Sequence, residues 1–79
     1  MKRIQIKLST IKDVQDFVRD LTKYSGDADL ESGRYTIDAK SIMGIFSLDL
    51  LSPLTLILRD ENAAGEAELM EAIKHLIVE

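Results

Sequence analysis

Ile4, Ile6 and Leu8 alternate with Gln5 and Lys7, a period of two that predicts a half-buried strand. Beyond Ser9-Thr10 the period lengthens. Ile11, Val14, Phe17 or Val18, and Leu21 recur at helical spacing, the stripe of an amphipathic helix. Thr10 followed by Asp13 has the form of a capping box, with Asp in place of the better partner Glu. Gly26 is expected just past the end of this helix, as a glycine-assisted stop. Ala28 and Leu30 then alternate with Asp27 and Asp29, and Tyr35, Ile37 and Ala39 with Thr36 and Asp38. Glu31-Ser-Gly-Arg34 between them supplies the turn of two paired strands.

Ser41 is placed to N-cap a short helix running to about Leu48, with Gly44 lowering its intrinsic stability. Ser52-Pro53 marks a turn or the start of a strand, because proline lacks the donor that an interior strand needs. Leu54, Leu56 and Leu58 bracket Thr55 and Ile57, so this strand is apolar on both faces and is expected to be central. Leu69, Ala72 or Ile73, and Leu76 predict a C-terminal helix that begins between Ala63 and Glu66. Glu66 and Glu68 near its start, with Lys74 and His75 near its end, suit the helix macrodipole. The order β-α-β-β-α-β-α predicts an α+β sandwich, an antiparallel sheet with helices packed on one face.

Seventy-nine residues are enough for one small domain, 1–79, whose single core supplies only a few kcal/mol of net stability. With 46% hydrophobic and 30% charged residues the chain has the make-up of a folded rather than a disordered one. It contains no cysteine, which removes disulfides and thiolate metal sites and points toward a reducing, cytoplasmic setting. The start of the chain lacks the apolar run of a signal peptide, and nothing approaches the roughly 18 apolar residues of a membrane span. A net charge of −4 argues against binding to a nucleic-acid backbone. No Ser-His-Asp or Cys-His arrangement, metal-ligand spacing or nucleotide-binding glycine loop is present, so neither an enzyme nor a cofactor is expected. Asp60, Glu61, Glu66, Glu68 and Glu71 read as a solvated helix start and face.

Lys40-Ser-Ile-Met-Gly44 with the trailing Ser47-Leu48, taken with the element order, resembles the histidine-containing phosphocarrier family (HPr) of the bacterial sugar phosphotransferase system. Thr22-Lys-Tyr24, Asp27 and Leu30-Glu31 extend the likeness, which runs in register from Val14 to Leu76. The resemblance implies an open-faced β-sandwich, a four-stranded antiparallel sheet with three helices on one face. It also implies a loop before the first helix carrying a histidine, an arginine and a proline. That histidine takes a phosphoryl group from phosphoenolpyruvate through enzyme I and passes it to sugar-specific components.

Here Thr10 occupies the histidine position, Lys12 the arginine position and Asp13 the proline position. A phosphothreonine ester is far too stable to donate onward. Lys12 lacks the planar fork of arginine, and Asp13 would repel a phosphate. Thr10 is more simply a helix cap. The sole histidine, His75, is expected on the surface near the final helix's end, with no catalytic role. The departure implies a regulatory or adaptor protein without carrier activity, similar to catabolite-repression relatives that keep only the serine.

In such relatives that serine is phosphorylated by HPr kinase, and the phosphorylated form binds a LacI-class regulator. On this chain the serine is Ser41. The resemblance further implies partner docking through Ile42, Met43 and Phe46, with enzyme I, the kinase or the regulator as protein partners. Met43 and Phe46 are expected to be the more exposed pair, with Ile45, Leu48 and one of the other three in the core. Three readings stay open: a regulator phosphorylated at Ser41, an interaction module in which Ser41 only caps its helix, and a residual phosphocarrier using an unexpected residue.

Overall fold

The computed structural model of the chain describes residues 1–60 and 63–78; Glu61, assigned above to an acidic helix start, lies outside them. Eight elements follow in order: β1 (Lys2–Ile6), α1 (Ile11–Leu21), β2 (Ala28–Ser32), β3 (Tyr35–Asp38), α2 (Ile42–Phe46), β4 (Leu54–Leu58), α3 (Glu66–Ala72) and a 3₁₀ turn, Lys74–Leu76. The strands form one antiparallel sheet in the order β1-β4-β2-β3. All three helices lend side chains to one core: Val14, Phe17 and Leu21 from α1, Ile45 from α2 and Leu69 from α3. They meet Ile6, Leu30, Leu54, Leu56 and Leu58 from the sheet. This is the open-faced α+β sandwich expected from the pattern.

β4 is central, with Leu56 set between Ile4 of β1 and Leu30 of β2. Ile57 points to the outer face of the sheet yet is buried. Arg3 and Asp29 flank it in the register. Arg3 pairs with Glu31 at 2.9 Å and Arg59 pairs with Asp29, so the arginine stems lie along the apolar strand while their heads stay wet.

Several boundaries differ from the sequence reading. Ile11 opens α1 but is exposed, so the buried stripe begins at Val14 and takes Phe17, while Val18 packs only at its margin. Gly26 does not stop the helix. α1 ends at Leu21 because Thr22 closes it locally: its hydroxyl donates to the Arg19 carbonyl at 2.6 Å and its N–H to that of Val18. Gly26 serves close approach instead, since a Cβ there would sit 2.7 Å from the Tyr24 hydroxyl.

α2 stops at Phe46 rather than near Leu48, where the Ser47 hydroxyl donates to the Gly44 carbonyl at 2.6 Å. The expected C-terminal helix breaks after Ala72. Ile73 takes the buried position, and the chain tightens into the 3₁₀ turn that buries Leu76. It then extends so that Ile77 pairs with Ile6.

Gly65 caps α3 with a φ of +90°, and a Cβ there would lie 2.5 Å from the Lys23 carbonyl. Gly33, in the hairpin turn, has a φ of +58° but open space around it. Gly65→Ala is therefore expected to cost about 2 kcal/mol or more, strain plus clash, and Gly33→Ala only about 1 kcal/mol of strain. Urea denaturation of the two variants checks the ranking.

Tyr24 is buried and donates its hydroxyl to the Asp60 carbonyl at 3.1 Å. Burial, reinforced by Glu66 and Asp60, raises its pKa above the usual phenol value near 10. The folded state thus holds the proton more tightly than the unfolded chain. The associated stability is complete below about pH 10 and is lost as pH rises through the folded-state value. Tyr24→Phe should lose about 1 kcal/mol at pH 7 with the hydrogen bond, and show a smaller further loss than the parent at pH 11.

Candidate functional site

The starts of α1 and α2 carry the residues singled out by the sequence, and they differ in what their loop amides already hold. At α1, Asp13 donates its backbone N–H to the Thr10 hydroxyl at 3.0 Å. The Asp13 carboxylate in return accepts the N–H groups of Ser9 at 3.0 Å and Thr10 at 3.2 Å. The capping box is complete, and it seats an anion of the chain's own on the loop amides.

Lys12 is turned along the helix to Asp16, 2.8 Å away, and away from Thr10's hydroxyl bond. The hydrogen bond that Lys12 donates to Asp16, with the charges of Lys12, Arg19 and His75, lowers the Asp16 pKa against the opposing effect of desolvation. His75 itself is exposed in the 3₁₀ turn rather than in α3.

At α2 the chain arrives from β3 through Asp38, whose carboxylate accepts the Lys40 N–H at 2.9 Å and whose carbonyl accepts that of Ser41. Ser41 is extended, with φ −97° and ψ 104°, and its hydroxyl accepts the Gly44 N–H at 3.2 Å. Asp38 thus holds the Lys40 amide from the strand side, whereas no acidic side chain from the first turn of α2 returns to the Ser41 N–H as Asp13 does to Thr10 at α1. Being only five residues long, α2 has a small macrodipole, so a charge at Ser41 would interact mainly with individual N–H groups.

Ile45 is fully buried, and Ile42 and Leu48 pack against the core. Met43 is 78% exposed and Phe46 43% exposed, on the side of the helix away from Ile45. Of the three docking candidates, then, Met43 and Phe46 present surface and Ile42 mainly fills the sandwich. Gly44 has a packing reason to be small: a Cβ there would stand 3.2 Å from Ile37 Cδ1.

Two lysines fix this helix from below and were not singled out by pattern. Lys40 donates Nζ to the Tyr24 carbonyl at 2.8 Å, with its ammonium 5.8 Å from the Tyr24 ring centroid. Lys7 donates to the carbonyls of Leu50 and Leu51 at 3.2 and 2.7 Å, tying the loop after α2 to the end of β1. That loop displays Leu51, also strongly exposed. Nothing in the period-two pattern of β1 distinguishes Lys7 from an ordinary solvated lysine.

Among the described residues no group of acidic or histidine side chains could hold a metal ion, and no helix is long and apolar enough to cross a membrane. No family model matches this chain, and the search of curated proteins finds no significant relative.

The capping geometry at α1 generates a direct expectation. Thr10→Ala and Asp13→Ala should each lower stability by about 1 kcal/mol, and the double variant by less than their sum, since both belong to one reciprocal pair. Thermal unfolding of the three proteins checks it.

Proposed function

We propose that this chain is an HPr-like regulatory or adaptor protein without phosphocarrier activity, recognised by protein partners through α2 and modified at Ser41. The observation that carries the reading is the contrast between the two helix starts. At α1 a carboxylate already occupies the loop amides and a threonine stands where the resemblance puts the carrier histidine. At α2 the serine lies beside an exposed apolar pair on a helix anchored from beneath by Ile45.

The chemistry follows from those positions. A phosphate on Ser41 adds about −1.5 to −2 charges and three strong acceptors beside Met43 and Phe46. It would replace the hydroxyl as the acceptor for Gly44 and offer its remaining oxygens to arginines of a partner. Met43 and Phe46 provide the apolar contact, and the charge provides the switch. A phosphoryl group at α1 has no such opening, because it would have to displace Asp13 and would meet its repulsion.

The second reading, an interaction module used without modification, draws on the hydroxyl bond from Ser41 to Gly44, which accounts for a serine there by capping alone. Incubation with HPr kinase and ATP separates the two. Wild type is expected to incorporate one acid-stable phosphate and Ser41→Ala none. Absence of label on wild type removes the regulated form. In the unmodified form, partner binding would fall at least tenfold with Met43→Ser or Phe46→Ser and stay unchanged with Ser41→Ala. Phosphoenolpyruvate with enzyme I is expected to leave no acid-labile label, and any such label would restore the carrier reading.

A further inference from the structure

The sheet has two outer edges, and the chain treats them differently. The end of β1 is covered by residues 76–78: Lys7 N–H donates to the Leu76 carbonyl, Val78 N–H to that of Gln5, and Ile77 bridges Ile6. No described segment runs along the outside of β3.

The polar groups presented on that side follow from the register. Ala39 donates to the Ala28 carbonyl at 2.9 Å, which makes this a hydrogen-bonded pair. The Leu30–Ile37 and Ser32–Tyr35 pairs share its phase. Thr36 and Asp38 therefore direct their N–H groups away from β2, and Thr36 its carbonyl as well; the Asp38 carbonyl is taken by Ser41. An unpaired edge of this kind is a template for another strand.

We propose that β3 pairs antiparallel with β3 of a second copy, about a two-fold axis at Thr36, joining the two sheets into one. The residues of this edge are complementary to themselves in that register and in no need of a different partner. Thr36 faces Thr36 of the second copy, in the phase where the two exchange both N–H···O bonds. Arg34 faces Asp38 and Asp38 faces Arg34, while Tyr35 faces Ile37 on the helix side of the sheet. Opposite charges, an aromatic against a β-branched residue, and paired threonines are the cross-strand combinations that stabilise antiparallel ladders.

Two independent features of the single chain point the same way. Asp38 lies directly across the hairpin from Asp29, a like-charge pair, and only Asp29 is neutralised, by Arg59. Arg34 forms no ion pair with the described residues, so the pairing brings an unused cation to an uncompensated carboxylate. Tyr35 is 73% exposed, and its ring would cover the half-buried Ile37 of the other copy.

A short strand and one ring per copy bury less than the roughly 1,200 Å² of a standard stable interface. The association is therefore weak, with half-assembly at roughly 0.1–1 mM. Sedimentation equilibrium from micromolar to millimolar chain is expected to show a monomer–dimer transition. Arg34→Glu should weaken it on the order of tenfold or more by opposing Asp38. Thr36→Pro should abolish it while leaving the fold intact by circular dichroism, because the lost N–H points outward.

The chain has no cysteine, so Thr36→Cys supplies a single thiol at the axis. Mild oxidation should convert it to a disulfide dimer faster than Glu71→Cys, whose thiol lies on α3. A chain that stays monomeric at millimolar concentration overturns the proposal. A dimer indifferent to Arg34→Glu and Thr36→Pro, or equal oxidation rates for the two cysteine variants, overturns it equally.

Discussion

Leu54, Leu56 and Leu58 point from β4 into the helix layer while Ile57 points to the opposite face, and all four are buried. A strand apolar on both sides has to be flanked and covered, and the remaining architecture follows from that demand. β1 and β2 close on its two edges. The helices cover the leucine side, and ion pairs anchored on arginine stems cover the isoleucine side. Each leucine removed from water contributes about 1.5–3 kcal/mol, which outweighs what weakly stabilising exposed ion pairs can add. The outer face is therefore a cover for Ile57 rather than a source of stability in its own right.

The two helix starts show how similar local chemistry can be put to different ends. Both use a hydroxyl residue as N-cap, and both hydroxyls accept the N–H three positions on. The difference lies in the third residue after the cap. Asp13 returns a carboxylate to the loop and closes the box. Gly44 has nothing to return, and its missing side chain lets α2 settle against Ile37. One helix start is closed from within the helix, and the other is closed from the strand side by Asp38, with the Ser41 hydroxyl alone serving the Gly44 N–H.

Much of this was legible from residue order because it rests on local periodicity. The alternation in Ala28–Ala39 gave the hairpin, and the doubly apolar run Leu54–Leu58 gave the central strand. The Thr10–Asp13 spacing gave the box. What escaped depends on long-range geometry. Gly26 looks like a helix stop by position, but the space it must leave is set by Tyr24 and Asp60. Leu76 continues a helical stripe on paper, yet the chain has to unwind there to reach β1. The tethers from Lys7 join segments 43 and 44 positions apart and that from Lys40 segments 16 apart, which no periodicity can reveal. For the candidate site, the exposure of Met43 and Phe46 and the inward lean of Ile42 match what the resemblance implied, and spacing within so short a helix does not by itself decide them.

The coverage of β1 by residues 76–78 has a topological consequence. Pairing through β3 about a two-fold axis, as proposed, uses the same border on both copies and so closes with a symmetrical pair. Peeling residues 76–78 away would bare Gln5–Lys7 on a second border of different sequence, where head-to-tail addition could begin. The brief stretch that stitches Gln5 and Lys7 thus narrows that second border and favours a closed pair over a filament.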